Sequence, residues 1–256
     1  MRAVFTNLEI PQADAYNALF DNDQGLYHNL ESALILFLTP NIERLSLNST
    51  PGLEENKSHF DLYKIREPHA VLLSLLCAGQ RLAYGKVHTF KNLKYLKLCM
   101  SGFHVNTISP VLRLESLKDL MLFDYCDHAF ELDEVPGEWS CPPSTSTVEN
   151  IRLDNFECDI QSVEDLLKSC RFLKTLALTT PSEYFLGWRW PTVKALLQKY
   201  QPCLRALKVR DCTINGTDPL RLGSLQEFVC LEYLAVALER LVGKPLSFFH
   251  ANANGH

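Results

Sequence analysis

The chain has 256 residues, a formal net charge of −5 and an apolar fraction of 46%. That is ample material for a large core, and the mild acidity excludes a chain built to coat nucleic acid or an anionic membrane. No apolar run approaches the roughly 20 residues of a membrane span. The opening MRAVFTNLEIPQADAYN lacks the long apolar core of a secretory signal, so an intracellular location, cytoplasmic or nuclear, is expected.

Residues 1–29 carry no assignable pattern, and the order begins near residue 30. From there a hexamer of the form L-x-x-L-x-L, with any aliphatic allowed, recurs seven times: IERLSL from Ile42, LKYLKL from Leu93, LKDLML from Leu117, VENIRL from Val148, LKTLAL from Leu173, LRALKV from Leu204 and LEYLAV from Leu231. Successive starts are 51, 24, 31, 25, 31 and 27 residues apart. All but the first interval suit an irregular leucine-rich repeat. The fourth and sixth residues lie two apart, so in a short strand they share a side. Stacked in parallel, seven such strands build one continuous apolar interior. The stretch LRALKVRDCTI keeps the full eleven-residue form, with Cys212 where such repeats place Asn or Cys. The expected fold class is therefore α/β: a leucine-rich-repeat solenoid over residues 30–242, with a curved parallel sheet on the concave side and helices and loops on the convex side. Residues 243–256 are expected to form a disordered tail.

Parallel strands need return crossovers. Pro68–Gly79 opens with Pro and closes with Gly, as helices favour. Asp159–Cys170 is amphipathic, with Ile160, Val163, Leu166 and Leu167 on one face. Pro191–Tyr200 again opens with Pro, and Leu222–Cys230 is a short fourth candidate. Two segments break the rhythm. Phe130–Thr147 is acidic, then rich in Pro, Ser and Thr, and reads as a protruding loop. Thr179–Pro191 carries Tyr184, Phe185, Trp188, Arg189 and Trp190. Its plainer reading is a loop whose rings cap the core; the other is a secondary contact surface, since Trp, Tyr and Arg dominate binding hot spots.

Strand alternation sends the third and fifth residues of each hexamer, and the residue after it, to the open face. The middle column reads Ser46, Lys97, Met121, Arg152, Ala177, Lys208 and Ala235, with three cations and no acid. Candidate partner-binding residues on this face are Arg44, Tyr95, Lys97, Asp119, Met121, Phe123, Arg152, Asp154, Lys208, Arg210 and Tyr233. Arg152 and Arg210 offer bidentate contacts to carboxylate or phosphate, Lys97 and Lys208 point charges, and Tyr95, Met121 and Phe123 an apolar anchor. The competing reading is a solvated sheet face with ordinary charges.

The chemistry-bearing residues form no enzyme motif. The eight histidines make no HExxH, and no GxSxG elbow, GxxxxGK[ST] loop or G-x-G-x-x-G is present. Asp124, Asp127, His128 and Asp133 cluster, but at irregular spacing and without the turn glycine of a calcium loop. The nine cysteines contain no CxxC pair and read as reduced, mostly buried small side chains. No catalytic residue, metal site or cofactor is expected. The sequons at Asn48 and Asn215 point weakly toward secretion.

The stretches LLKSCRFLKTLAL, YQPCLRALKVRDCTI and LGSLQEFVCLEYLAV, with LFLTPNIERLSL before them, resemble repeats of fungal F-box/leucine-rich-repeat proteins. The resemblance implies a non-enzymatic substrate receptor of a ubiquitin ligase, whose repeats hold a protein substrate. It also implies a Skp1-type adaptor as partner, provided that the full-length protein carries an F-box. The first forty residues show no Leu-Pro-x-Glu-like opening followed by helices. A stand-alone repeat scaffold, or a truncated remnant without a ligase link, is the alternative. Neither nucleic acid nor membrane is an expected partner.

Overall fold

The computed structural model describes residues 39, 41–47, 75, 78–79, 90–100, 104–126, 138–157, 160–179, 190–210 and 224–236. Every hexamer becomes a strand, and each strand starts at its hexamer's third residue. The strands are β1 (Arg44–Leu47), β2 (Tyr95–Cys99), β3 (Asp119–Cys126), β4 (Asn150–Glu157), β5 (Thr175–Thr179), β6 (Ala206–Arg210) and β7 (Tyr233–Val236). They form one seven-stranded sheet in sequential order, parallel throughout, with like positions of the hexamers paired. Sequential parallel order requires every connection to return across the same face of the sheet.

That face is the core. The fourth and sixth aliphatics of β2 to β6, from Leu96 and Leu98 to Leu207 and Val209, are at most 5% exposed. Each fully buried one contributes roughly 1.5–3 kcal/mol relative to exposure. The first aliphatics Leu93, Leu117, Val148, Leu173 and Leu204 are buried in the turns below the strands. Burial weakens at the two ends: Leu45 and Leu47 are half-buried, and Leu234, at an inward position of β7, is 40% exposed.

The crossovers supply the other wall. A 3₁₀ helix, η1 (Val105–Arg113), follows β2, α1 (Ile160–Ser169) follows β4 and α2 (Trp190–Gln198) follows β5. η1 packs on α1 and α1 on α2. α1 and α2 match the expected helices. α1 buries Val163, Leu166 and Leu167, and Ile160 packs at its edge. Of the first helical candidate, Leu75, Ala78 and Gly79 are described and helical. A Cβ on Gly79 would lie 1.9 Å from the Pro110 carbonyl oxygen, so this backbone runs directly against η1.

Three expectations change. Residues 224–230 form turns, not a helix. Phe228 N–H donates to the Leu225 carbonyl and Leu231 N–H to the Phe228 carbonyl, and only Phe228 is fully buried. So short a segment with one anchor does not repay helix nucleation. The second half of the expected protruding loop, residues 138–147, lies on the core instead. Cys141 and Ser146 are buried, and Trp139 Nε1 donates to Ser169 Oγ at 2.8 Å. Turn-forming composition indicates irregular backbone, and such backbone can be buried once its polar groups have partners. Here Ser144 and Ser146 N–H groups cap the Lys168 and Ser169 carbonyls at the end of α1. Trp190, expected in a loop, is the first residue of α2, where Pro191 beside it suits a first helical turn. Tyr184, Phe185, Trp188 and Arg189 lie outside the described residues, as do the domain boundaries near 29 and 242 and the C-terminal tail.

The same helix end is closed from the other side. Lys199 Nζ donates to the Lys168 and Cys170 carbonyls at 3.0 and 2.9 Å. The buried Tyr200 hydroxyl donates to the Leu167 carbonyl and, at 3.1 Å, to that of Cys170. An ammonium at a helix C-terminus also meets the negative end of the helix dipole.

Candidate functional site

The face opposite the core is set by the hexamers' odd positions. Pairing register places Arg44, Tyr95, Asp119, Asn150, Thr175, Ala206 and Tyr233 in one column. Ser46, Lys97, Met121, Arg152, Ala177, Lys208 and Ala235 form the next. Cys99, Phe123, Asp154, Thr179 and Arg210 form a third. The structure therefore brings the sequence-derived site residues onto one face; the Arg210 side chain and the ends of the third column at Asn48 and Ala237 lie outside the described residues.

The contacts divide this face. On β1 to β3 it is aromatic and cationic. The Arg44 guanidinium sits 4.2 Å from the Tyr95 ring centre and the Lys97 ammonium 4.5 Å from that of Phe123, a geometry worth about 0.5–1 kcal/mol where exposed. Tyr95 hydroxyl reaches Met121 Sδ at 3.8 Å. On β3 and β4 it is polar: Asn150 Nδ2 donates to Asp119 Oδ1 at 2.7 Å. Arg152 Nη2 pairs with Asp154 Oδ2 at 2.6 Å along the same strand. That hydrogen bond holds the Arg152 guanidinium more firmly charged than usual, against an opposing desolvation. The other carboxylate oxygen, Asp154 Oδ1, is buried and has no hydrogen-bond partner among the described residues. On β5 the face is made of small residues, Thr175, Ala177 and Thr179, and Ala177 is 9% exposed.

The outward alternation ends one residue past this third column on β3 and β4. Asp124 and Asn155 both adopt the left-handed conformation, with φ of 54° and 51°, and Asn155 Nδ2 donates to Asp124 Oδ1 at 2.8 Å. Asp and Asn tolerate that region better than other non-glycine residues. The kink turns Tyr125 and Phe156 back into the core, stacked 4.7 Å apart. Asp124 thus serves a turn ladder; Asp127, His128 and Asp133 lie outside the described residues. Among the described residues, no three His, Cys, Asp or Glu side chains come together, and no helix is long and apolar enough to cross a membrane.

Sequence reasoning passed over the hexamers' second residues, Glu43, Lys94, Lys118, Glu149, Lys174, Arg205 and Glu232. Their carbonyls form a ladder in which each of the first six accepts two N–H groups of the next strand. Their side chains form a charge sequence of acid, two bases, acid, two bases, acid. Lys94 pairs with Glu43 and Lys118 with Glu149, both at 2.9 Å. Lys174 pairs with Glu149 from the other side, and Arg205 lies 3.7 Å from Glu232. Reading each hexamer's second letter down the repeats would have exposed it.

A second overlooked column precedes the hexamers. Asn92 Nδ2 donates to Asn41 Oδ1 at 3.0 Å. The Ser116 hydroxyl lies within hydrogen-bonding reach of the Phe90 and Leu93 carbonyls, and the Thr147 hydroxyl within reach of those of Leu114, Glu115 and Leu117, each with one proton to donate. Cys203 Sγ donates to the Leu173 carbonyl and Cys230 Sγ to that of Pro202. Both cysteines are half-buried and act as weak donors in a Ser/Thr role, not as buried apolar fillers. Cys99, Cys141, Cys170, Cys203 and Cys230 are free thiols, and burial pushes the Cys170 thiol up to about 12.

No protein-family model, curated protein or solved structure matches this chain.

Proposed function

We propose that the chain is a leucine-rich-repeat solenoid that works without catalysis, as a protein-interaction module holding an acidic segment of a partner protein on its open sheet face. The observation that carries this reading is the middle column. Lys97, Arg152 and Lys208 stand on alternate strands of one exposed face, in register, while the chain as a whole is acidic. Tyr95, Met121 and Phe123 add an apolar anchor beside them, and Arg and aromatic residues are the usual energetic centres of interfaces. Solenoids commonly bind through their sheet surface. With the resemblance to fungal F-box/leucine-rich-repeat proteins, this supports a substrate-recognition role of ubiquitin-ligase type, with a Skp1-type adaptor engaged if the full-length protein carries an F-box.

Simultaneous charge reversal of Lys97, Arg152 and Lys208 tests the face. Binding of a partner isolated by pull-down should fall at least tenfold while the far-ultraviolet circular dichroism spectrum shows the fold retained; undiminished binding would remove the proposal. Co-purification of the full-length protein with the adaptor tests the ligase link separately. Its failure would leave a stand-alone repeat scaffold.

A further inference from the structure

We infer that the outer edge of β7 takes one more parallel strand: an extended segment of a partner protein, with Lys or Arg beside Glu232 and aliphatics beside Leu234 and Val236. The backbone is ready for it. Each ladder carbonyl from Glu43 to Arg205 accepts two N–H groups of the following strand, the last two from Glu232 and Tyr233 at 2.8 and 2.9 Å. Glu232 is the seventh rung. Among the described residues no N–H reaches its carbonyl, and no strand lies beyond β7. Such an edge offers its backbone donors and acceptors to an incoming strand. The core beneath it is unfinished as well. Leu234 is 40% exposed, whereas its counterparts Leu96, Leu120, Ile151, Leu176 and Leu207 are at most 2% exposed. Val229, in the turn leading into β7, is 80% exposed.

The side-chain ladder sets the charge of the next rung. Glu149 shows a complete unit: it takes Lys118 from the repeat before and Lys174 from the repeat after. Glu232 has only the first half. Arg205 stands 3.7 Å away and the Glu232 side chain is 69% exposed, so its oxygens keep acceptor sites for a cation on the other side. The order acid, base, base, which runs twice from Glu43 to Arg205, also puts a base after Glu232. β1 of a second copy would bring Glu43 to that rung instead. Like charges side by side on neighbouring strands are destabilising, and Glu43 is already engaged by Lys94 at 2.9 Å. A partner strand with a cation at the rung, and aliphatics two and four residues later, fits this edge where a head-to-tail copy does not.

The test is a nuclear magnetic resonance titration of the full chain with labelled leucine methyls. The probes are acetyl-glycyl-lysyl-threonyl-leucyl-seryl-valyl-glycinamide and its analogue with glutamyl for lysyl. The lysyl peptide should shift the Leu234 methyls saturably and bind roughly threefold more tightly than the glutamyl one, the scale of an exposed ion pair. Glu232→Lys should invert that order. Glu43→Lys, the same charge change at the opposite edge, should preserve it. No saturable shift at Leu234 with millimolar peptide overturns the proposal, as does a shift at Leu45 of the β1 edge in its place. Equal affinities in the wild type, or an order that survives Glu232→Lys, also overturn it. A Leu234 shift that follows protein concentration without peptide gives the edge to a second copy and overturns the partner strand. None of these outcomes bears on the open face.

Discussion

Replacing Glu149 by Gln should remove the centre of the charge ladder that runs along the start of the strands. Glu149 is held between Lys118 and Lys174, with 24% of its side chain exposed against 43% and 46% for the lysines. Two such half-exposed pairs, at 0.2–1 kcal/mol each before shared screening, sum to about 1 kcal/mol. Glu149→Lys should cost more, because it leaves five consecutive cations from Lys94 to Arg205. The hydrogen bonds from Lys174 and then Lys118 hold the Glu149 carboxyl below its ordinary 4.5. A depressed carboxylate stabilises the fold above its unfolded pKa and loses that stabilisation as pH falls through the folded one. The gap between wild type and Glu149→Gln should therefore be full near pH 7, shrink below about 4.5 and close at lower pH. Urea midpoints read it directly, at low salt and in 1 M NaCl, where the Debye length is about 3 Å. An unchanged midpoint at low salt, or a loss that persists undiminished at high salt and low pH, would refute the electrostatic account of the ladder.

Two further perturbations probe the helical wall of the core. Gly79→Ala would place a Cβ 1.9 Å from the Pro110 carbonyl oxygen and 2.4 Å from its carbon. Both are backbone atoms, so helix and η1 must separate, at about 2–3 kcal/mol, read as a lowered urea midpoint; a midpoint within 0.5 kcal/mol of wild type would refute the close approach. Tyr200→Phe removes a buried hydroxyl that serves two carbonyls at the end of α1. Each carbonyl keeps one other partner, so about 1 kcal/mol is expected. Adding Lys199→Met strips the Cys170 carbonyl of its remaining described donor and should deepen the loss, seen as faster amide exchange in α1.

The contrast between the columns shows where sequence information lies. Leu153 and Val209 could be assigned to the core because their spacing has meaning at any repeat length. Gly79 could not be assigned to η1, because nothing local marks a backbone thirty-one residues away in sequence. Residues 138–147 were legible as irregular chain but not as buried, since their partners are the carbonyls of a helix that comes later. Likewise Arg152 was legible as outward and cationic, whereas its capture by Asp154 depends on side-chain rotamers. The hexamer alone determined seven inward stripes, and with them the strands, their parallel stacking and the sidedness of the sheet, because a two-residue period admits only one face for paired aliphatics. Tertiary structure decided which outward charges neutralise each other and which loop completes the core. Those outcomes depend on distances between strands, and no single repeat encodes them.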